Sequence, residues 1–297
     1  MKLLLWGTVI LLAAALVAVL VLVKMAEINE ENGKKNAVAS FIRPLFVAHR
    51  GESRDAPENT LASFRLAAER GDLGMECDVR FTRDKVLVCS HDGNTKRVAG
   101  GVEKVIADTP FAELRQVDVS NGKTAYAGEK VPTFAETLTV LRPDMTYYVE
   151  IKDKTPGVAE AVLQAVDAAK IDRRQIIVIS FHADVIKEYK EKYPDCRALW
   201  LACFQENAEK GTYSPTAEEA IAKLREIHAD GLDINANMKY LDAAYIQKLH
   251  KENFPVAVWT VDEESQAREL VARGVDVITS NVAAELRGKF LKTSAGK

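Results

Sequence analysis

The chain has 297 residues, of which 47% are hydrophobic and 28% charged, the composition of a globular protein with an apolar core. These values exclude a largely disordered chain. The formal net charge is −3, and because Lys2 and Lys24 are the only charged residues among residues 1 to 24, the remainder carries a formal −5. A mildly acidic body argues against nucleic acid as a partner, since binding a phosphate backbone requires a concentrated positive field.

The N-terminal segment carries no charge from Leu3 to Val23, and its 21 residues would span about 30 Å as a helix, the thickness of a bilayer core. We therefore predict one transmembrane helix within residues 1–24, a single-pass membrane anchor, followed by a polar tether over residues 25–43. A cleaved signal peptide is the alternative, but its apolar region is usually shorter, and the nearest Ala-x-Ala, residues 37–39, lies far downstream. Lysines flank both ends of the segment, so the positive-inside rule assigns no orientation.

Eight short apolar runs alternate with eight segments of helical periodicity, which predicts an α/β fold, a (β/α)8 barrel, over residues 44–290. A doubly wound open sheet is the alternative, but it rarely needs eight such units. Residues 291–297 are predicted to form a C-terminal tail. The predicted strands are Phe46–His49, Met75–Val79, Tyr147–Ile151, Ile176–Ser180, Arg197–Leu201, Gly231–Ile234, Val256–Thr260 and Asp276–Thr279. The predicted helices lie near residues 58–70, 133–142, 157–170, 183–192, 215–227, 241–252, 262–273 and 281–290.

The alternation is interrupted after the second predicted strand, where polar, glycine-containing residues from about 92 to 130 predict a small insertion. In a barrel, an insertion that follows a strand lies at the catalytic face. A short apolar run, Val86–Cys89, precedes the insertion. If the chain turns symmetrically about residues 83–84, the resulting hairpin places His91 beside Glu76.

The four cysteines, Cys77, Cys89, Cys196 and Cys203, show no CxxC pairing. They specify neither a disulfide framework nor a zinc site. We expect all four to be buried small apolar groups.

Polar side chains suited to catalysis stand at the ends of the first two predicted strands. His49 and Arg50 close the first strand, and a guanidinium fork suits a phosphate or a carboxylate. Glu76 and Asp78 lie in the second strand and, because side chains alternate along a strand, point to the same face. Two carboxylates are costly to bury unpaired, and either a divalent cation or paired Lys and Arg side chains would offset that cost.

Further candidates follow along the chain. His91 is next to Asp92, which would fix the imidazole tautomer if it does not simply begin the insertion. Glu150 and Lys152 share a face of the third strand, either as a plain ion pair or as a third metal ligand beside an anion-binding cation. Trp259, at the end of the seventh strand, is either a core residue or a wall of the substrate pocket. His182, after the fourth strand, is a weaker candidate for the pocket wall.

In this order and at these separations, the motifs resemble those of the glycerophosphodiester phosphodiesterase family, from about Phe46 to Asn281. The matching features are His49-Arg50-Gly51, Pro57-Glu58-Asn59-Thr60, Glu76-x-Asp78-Val79, Thr82-x-Asp84, His91-Asp92, Val131-Pro132-Thr133, Glu150-x-Lys152 and Trp259-Thr260-Val261. The chain departs from the family near its end. The family often has Thr-Asp-x-Pro or Thr-Asn-x-Pro after the eighth strand, whereas this chain reads Thr279-Ser280-Asn281-Val282-Ala283.

The resemblance implies a TIM barrel that hydrolyses glycerophosphodiesters to glycerol 3-phosphate and an alcohol, with a small insertion after strand 2. It implies a divalent cation, Ca2+ or Mg2+, and two histidines that act as general acid and base. Carried over residue by residue, it assigns the cation to Glu76, Asp78 and Glu150, proton transfer to His49 and His91, and substrate contacts to Arg50, Lys152 and Trp259.

Two other functions are weighed against this one. A lysophospholipase D-like or sphingomyelinase-like lipid phosphodiesterase would use the same histidines and acids on a similar barrel, but the insertion and the Pro57–Thr60 motif favour the glycerophosphodiester. A membrane-tethered binding protein without catalysis is the other class. The intact histidines and acids argue against it.

Overall fold

The structure is a computed structural model that describes residues 46–209 and 211–294. This part of the chain forms eleven strands: β1 (Phe46–Ala48), β2 (Gly74–Phe81), β3 (Leu87–Cys89), β4 (Thr146–Ile151), β5 (Ile176–Ser180), β6 (Arg197–Ala202), β7 (Gln205–Asn207), β8 (Thr212–Ser214), β9 (Gly231–Asn235), β10 (Val256–Trp259) and β11 (Val277–Ser280).

Nine α-helices accompany the strands in the same part of the chain: α1 (Leu61–Glu69), α2 (Phe111–Leu114), α3 (Phe134–Leu138), α4 (Val158–Ala168), α5 (Ala183–Lys192), α6 (Ala217–Glu226), α7 (Ala243–Lys251), α8 (Glu264–Arg273) and α9 (Ala283–Ser294). Short 3₁₀ turns occur at Ile106–Asp108, Thr124–Tyr126 and Arg173–Gln175.

Eight of the strands close into a parallel barrel in the order β1-β2-β4-β5-β6-β9-β10-β11, with β11 paired back to β1. Each barrel strand is followed by a helix before the next barrel strand begins, and α9 follows the last strand. The predicted (β/α)8 barrel is therefore confirmed. Every predicted strand matches an observed one to within two residues at each end.

Alternation along the strands decides which side chains face the barrel interior. In β2, Cys77 and Val79 belong to the apolar core shared with the surrounding helices, which turns Glu76 and Asp78 inward. The same alternation in β4 turns Glu150 inward. Because the strands are parallel, their carboxyl ends open at one mouth of the barrel, and these acids meet there.

The pairing of β3 with β2 is antiparallel, but its register differs from the predicted one by a residue. The paired positions are symmetric about Asp84, so the turn contains one more residue than predicted. Within this turn, the Asp84 carboxylate accepts a hydrogen bond from the Thr82 hydroxyl at 2.6 Å. Continued along the chain, this register sets His91 opposite Cys77, and the expectation that the hairpin places it beside Glu76 is wrong. His91 instead reaches the mouth of the barrel from the loop after β3.

The rest of the insertion forms a small apolar core of its own beside the end of β2. It contains α2, and an isolated bridge pairs Asn94 with Val105. This core fixes the position of the loop to which His91 belongs. Its buried residues are Val88, Ala99, Ile106, Leu114, Val117, Val119 and Val131.

Three features differ from the predicted elements. β7 and β8 form an antiparallel hairpin after β6, which the sequence does not indicate because its residues are mostly exposed and polar. The helix predicted near residues 133–142 ends at Leu138. The last helix runs to Ser294 and takes in part of the predicted tail, residues 291–297.

None of the helices in residues 46–209 and 211–294 is both long and apolar enough to cross a bilayer. The predicted membrane segment, residues 1–24, and the tether, residues 25–43, lie outside the described residues. The anchor therefore stays a prediction from composition.

The four cysteines are free thiols. Cys77, Cys89 and Cys196 are buried, as predicted. Cys203 follows β6 at the rim of the barrel and is only partly buried, so the expectation that all four are buried is wrong for this residue.

Gly231 opens β9 at a position that has no room for a side chain. A Cβ atom there would lie 2.7 Å from Pro255 Cγ, 2.8 Å from Pro255 O and 3.0 Å from Leu199 Cδ2. We expect Gly231→Ala to lower the free energy of unfolding by about 1–3 kcal/mol, the usual cost of overpacking, as measured by urea unfolding. Gly288→Ala, in α9 with no atom within 4 Å of the added methyl group, is the control and should stabilise by about 0.5–1 kcal/mol. Equal stability of the two variants would contradict the steric account.

Candidate active site

Three carboxylates from two adjacent strands meet inside the mouth of the barrel. Glu76 and Asp78 come from β2 and Glu150 from β4, and the strand register aligns Asp78 with Glu150. Each residue offers one ligand oxygen, and these three oxygens lie within 4.8 Å of one another. All three residues are buried. This is the type of oxygen cluster that a hard divalent cation uses.

Burial and mutual repulsion shift the pKa values of these acids. Burial, followed by the charges of Asp78 and Glu150, raises the pKa of Glu76 well above its usual value. Burial and the charge of Asp78 raise the pKa of Glu150 to about 7. Although burial also acts to raise the pKa of Asp78, the charges of Lys152 and Arg50 hold it well below its usual range. The positive charge beside the cluster is therefore too small for all three acids to be ionised together.

Two cations compensate the cluster in part. Lys152 Nζ lies 2.8 Å from Glu150 Oε1 and 3.3 Å from Asp78 Oδ1. Arg50 Nε lies 3.3 Å from Asp78 Oδ2, and the Arg50 backbone N–H donates to Glu76 Oε2 at 2.9 Å. Two cations against three carboxylates leave one negative charge, and Asp78 Oδ1 accepts no hydrogen bond from the described residues. The donor set therefore fits a bound cation in addition to these ion pairs.

His49 is held by a chain of polar groups at the end of β11. His49 Nδ1 lies 2.8 Å from Asn281 Oδ1, and Asn281 Nδ2 donates to Asp262 Oδ2 at 2.8 Å. Because Asn281 presents its oxygen to the imidazole, Nδ1 carries the proton and Nε2 has a free lone pair, 4.0 Å from Glu76 Oε2. Burial, followed by the charge of Arg50, lowers the pKa of His49 to about 4, so this imidazole is neutral at pH 7.

His91 belongs to the insertion and is held by Asp92. His91 Nδ1 lies 2.7 Å from Asp92 Oδ1, and Arg97 Nε donates to Asp92 Oδ2 at 2.7 Å. The two Nη atoms of Arg97 donate to the carboxylate oxygens of Glu58 at 2.6 and 2.7 Å, and Glu58 also accepts from Arg50 Nη1 at 2.9 Å. One guanidinium therefore connects the loop that carries His91 to the arginine beside the acids.

A pocket of about 460 Å³ has an ionic side and an apolar side. On the apolar side, the rings of Phe181 and Trp259 pack edge to face with centroids 5.6 Å apart, next to Ile179 and Leu201. Asp233 and Thr279 also line the pocket. The ionic side consists of His49, Arg50, Glu76, His91, Glu150 and Lys152.

The structure brings the residues singled out in the sequence to one place. Seven of them line the pocket, and Asp78 lies beside it in the acidic cluster. Trp259 is a pocket wall, the second of its two predicted placements. His182 does not line this pocket. Its ring Nε2 lies 3.1 Å from Lys152 O instead.

Sequence reasoning missed several residues of the site. Asn59 Nδ2 donates to Asp78 Oδ2 at 2.7 Å, while the next residue, Thr60, caps α1 through Ser63, so the Pro57–Thr60 motif both starts the helix and holds the site. Asn281, noted only as a departure from the family pattern, is the partner of His49. Glu58 was noted only as part of the Pro57–Thr60 motif, and no local pattern in the sequence singled out Arg97 or Asp233.

Known proteins are similar to this chain in sequence and in fold. A sequence profile of the Glycerophosphoryl diester phosphodiesterase family matches residues 49–285. A glycerophosphodiester phosphodiesterase from Caldanaerobacter subterraneus subsp. tengcongensis is 27% identical over 248 residues, which are 81% of this chain and 95% of that protein.

Solved structures of phosphodiesterases are similar to this chain in fold. An Oleispira antarctica phosphodiesterase in complex with the product sn-glycerol-3-phosphate has a TM-score of 0.71 and 26% identity, over 85% of this chain and 98% of that one. A glycerophosphodiester phosphodiesterase from Thermotoga maritima has a TM-score of 0.64 and 25% identity, over 83% and 97% of the two chains. Because the profile covers most of the chain, including both histidines and all three acids, the chain belongs to the Glycerophosphoryl diester phosphodiesterase family.

Proposed function

We propose that this chain hydrolyses glycerophosphodiesters to glycerol 3-phosphate and an alcohol with the help of a divalent cation. The observation that carries the proposal is the convergence of three carboxylates and two imidazoles on one pocket. The names of the relatives support it, since the Caldanaerobacter protein is a glycerophosphodiester phosphodiesterase and the Oleispira structure contains sn-glycerol-3-phosphate as product.

Glu76, Asp78 and Glu150 would hold the cation. Carboxylate oxygens are hard ligands, which favours Ca2+ or Mg2+ over softer metals. When bound, the cation would supply Lewis acidity to the phosphoryl oxygens. Asp78 Oδ1, which accepts no hydrogen bond from the described residues and lies 3.3 Å from Lys152 Nζ, is an oxygen available to it.

Arg50 and Lys152 would bind the anionic phosphodiester. Both line the pocket beside the acids, and their side chains are only 16% and 12% exposed, so water screens their charges weakly. Their positive charges would stabilise the negative charge that grows on the phosphoryl oxygens in the transition state.

His49 and His91 would transfer the protons. Each Nδ1 is held by a partner, Asn281 or Asp92, which leaves each Nε2 free for the pocket. One imidazole would take a proton from the attacking oxygen, and the other would give a proton to the departing alkoxide. Trp259 and its apolar neighbours would contact the organic part of the substrate.

The proposed enzyme is anchored in a membrane by a single helix within residues 1–24. The support is compositional: 21 uncharged residues, enough to cross the apolar core of a bilayer. Its substrate is a small molecule, either a glycerophosphodiester or a lysolipid, and a nucleic acid partner is not expected from its acidic body.

The substrate class is tested on sn-glycero-3-phosphocholine with purified full-length protein, by coupled detection of glycerol 3-phosphate. We expect glycerol 3-phosphate and choline to appear in equal amounts. Lysophosphatidylcholine and sphingomyelin are assayed in parallel. Turnover confined to these two lipids would replace the proposal with a lipid phosphodiesterase.

The cation and the histidines are tested on the same substrate. Excess EDTA should abolish turnover, and added Ca2+ or Mg2+ should restore it. His49→Ala and Glu76→Gln should lower kcat by at least about a hundredfold, because each removes a group needed in the transition state, while the circular dichroism spectrum stays that of a folded barrel. His250→Ala, in α7 and outside the pocket lining, is the control. Near-normal activity of either site variant, or full activity in EDTA, would refute the site assignment.

Arg97 is a positioning residue, because it acts through Asp92 and Glu58 on His91 and Arg50. We expect Arg97→Met to lower kcat by roughly ten- to a hundredfold with a smaller change in KM, since small displacements of catalytic groups cost rate.

The control for Arg97 is Lys96→Gln, because Lys96 is 63% exposed and pairs with Glu103 alone among the described residues. Guanidinium ion added to the Arg97→Met variant should restore part of the lost kcat. Equal losses in the two variants, or a loss confined to stability, would contradict the positioning role.

The anchor is tested by deleting residues 1–24 and fractionating cells by ultracentrifugation. The full chain should sediment with membranes and resist extraction by high salt, while the truncated chain should stay in the supernatant with unchanged kcat on glycerophosphocholine. A full chain that remains in the supernatant would contradict the anchor and leave the catalytic assignment intact.

A further inference from the structure

Asp233 is a buried acid without a counterpart. It lies on β9 with 1% of its surface exposed, and its Oδ1 has no hydrogen-bond partner among the described residues. The acids of the proposed cation site each have a donor or a cation beside them, as described above. A carboxyl group that is buried without a partner lowers stability. A hydrogen-bond donor on a bound ligand would pair with the carboxyl and offset this loss of stability.

The side chain of Trp259 also has an unpaired polar atom, in this case a hydrogen-bond donor. Its indole Nε1 is buried and has no hydrogen-bond partner in the described part of the chain. The β9–β10 register aligns Asp233 with Ala257, two residues before Trp259, so the side chains of Asp233 and Trp259 share the inner face of the barrel. Both residues line the pocket. The residue with the unpaired carboxyl oxygen and the residue with the unpaired N–H donor therefore line the same pocket.

These two groups lie on the side of the barrel opposite the acids. In the closed strand order, β9 is four strands from β2 in either direction. The neighbouring pocket walls are the apolar side chains of Ile179, Phe181 and Leu201. A polar part of a substrate that reaches this side has left water, and its hydrogen bonds must come from the few polar groups present there.

We propose that Asp233 and Trp259 bind the terminal hydroxyl group of the substrate's glycerol moiety. The hydroxyl donates to the Asp233 carboxyl and accepts from the Trp259 indole N–H, which pairs both atoms. This inference rests on the proposed function and extends it, because it states which end of the diester enters the apolar side. With the phosphate held by Arg50 and Lys152 beside the acids across the barrel, the terminal hydroxyl is the glycerol oxygen that lies farthest from the phosphate.

Other groups fit this position less well. An ammonium group would pair with the acid but cannot accept a hydrogen bond from the indole. A methyl group would leave both buried atoms unpaired. Burial, followed by the charge of Glu150, raises the pKa of Asp233 to about 8, and a protonated carboxyl both donates and accepts, as a carboxamide does. Asparagine is therefore the conservative replacement.

The test compares two substrates that differ in one hydroxyl group. The first is sn-glycero-3-phosphocholine, in which the choline oxygen forms the phosphate ester, so that only the glycerol moiety has free hydroxyl groups. The second is the analogue in which the terminal CH2OH is replaced by CH3 and the hydroxyl group next to the phosphate ester is kept. We expect the wild-type chain to favour the first in kcat/KM by roughly ten- to a hundredfold.

Asp233→Leu should abolish this preference by lowering kcat/KM for glycerophosphocholine alone, with less than about a threefold change for the analogue. Asp233→Asn should keep most of the preference. Trp259→Phe, which removes the N–H and keeps a ring, should lose part of it. The melting temperature of Asp233→Leu should be equal to or above that of the wild type, because an unpaired buried carboxyl is replaced by an apolar group.

The outcomes separate this inference from the proposed function. If Asp233→Leu slows both substrates equally, or lowers the melting temperature, Asp233 has a structural role and the inference is overturned. If the wild type turns over the two substrates equally well, the enzyme does not recognise the hydroxyl, and the proposed function stands alone. If it turns over neither, the proposed function fails, and the inference falls with it.

Discussion

The arrangement of the site follows from one constraint: three carboxylates are buried side by side at the mouth of a barrel, where water does not solvate them. Glu76, Asp78 and Glu150 come from adjacent strands, and their mutual repulsion raises the pKa of two of them. Each nearby polar group reduces this cost. Lys152 and Arg50 supply positive charge, and the proposed cation would supply the remainder.

The same constraint explains why the site draws on segments far apart in the chain. Asn59, just before α1, donates to Asp78, and Arg50 forms ion pairs with both Asp78 and Glu58. Arg97 extends these contacts into the insertion. The acids are therefore held by the barrel, by the start of the first helix and by the insertion together. A change in any of these segments alters the electrostatic surroundings of the other two.

Much of the fold is readable from the sequence, because the barrel strands are continuous apolar runs and the helices between them are amphipathic. That Glu76 and Asp78 share one face of their strand follows from alternation alone, and the structure agrees and shows that this face is the barrel interior. The position of His91 does not follow, since one additional turn residue at Asp84 changes the hairpin register. The contact between His49 and Asn281 joins residues 232 positions apart, and local patterns carry no information on such pairs. Local patterns likewise carry no information on whether the carboxyl of Asp233 has a partner in the fold.

The pocket keeps its two kinds of wall on different strands. The ionic groups next to the proposed cation site stand on β2, at the ends of β1 and β4 and on the insertion, whereas the apolar wall comes from β5, β6 and β10 and from Phe181 after β5. Asp233 on β9 lies beside this apolar wall. β4 and β5 are hydrogen-bonded to each other and align Glu150 with Ile179, whereas β6, β9 and β10 pair with none of β1, β2 and β4. Substitutions on β6, β9 and β10 therefore need not disturb the geometry of the ionic side. Barrels of this kind can therefore come to accept a different organic group through point mutations on the apolar side of the pocket, while the catalytic residues on the ionic side stay the same.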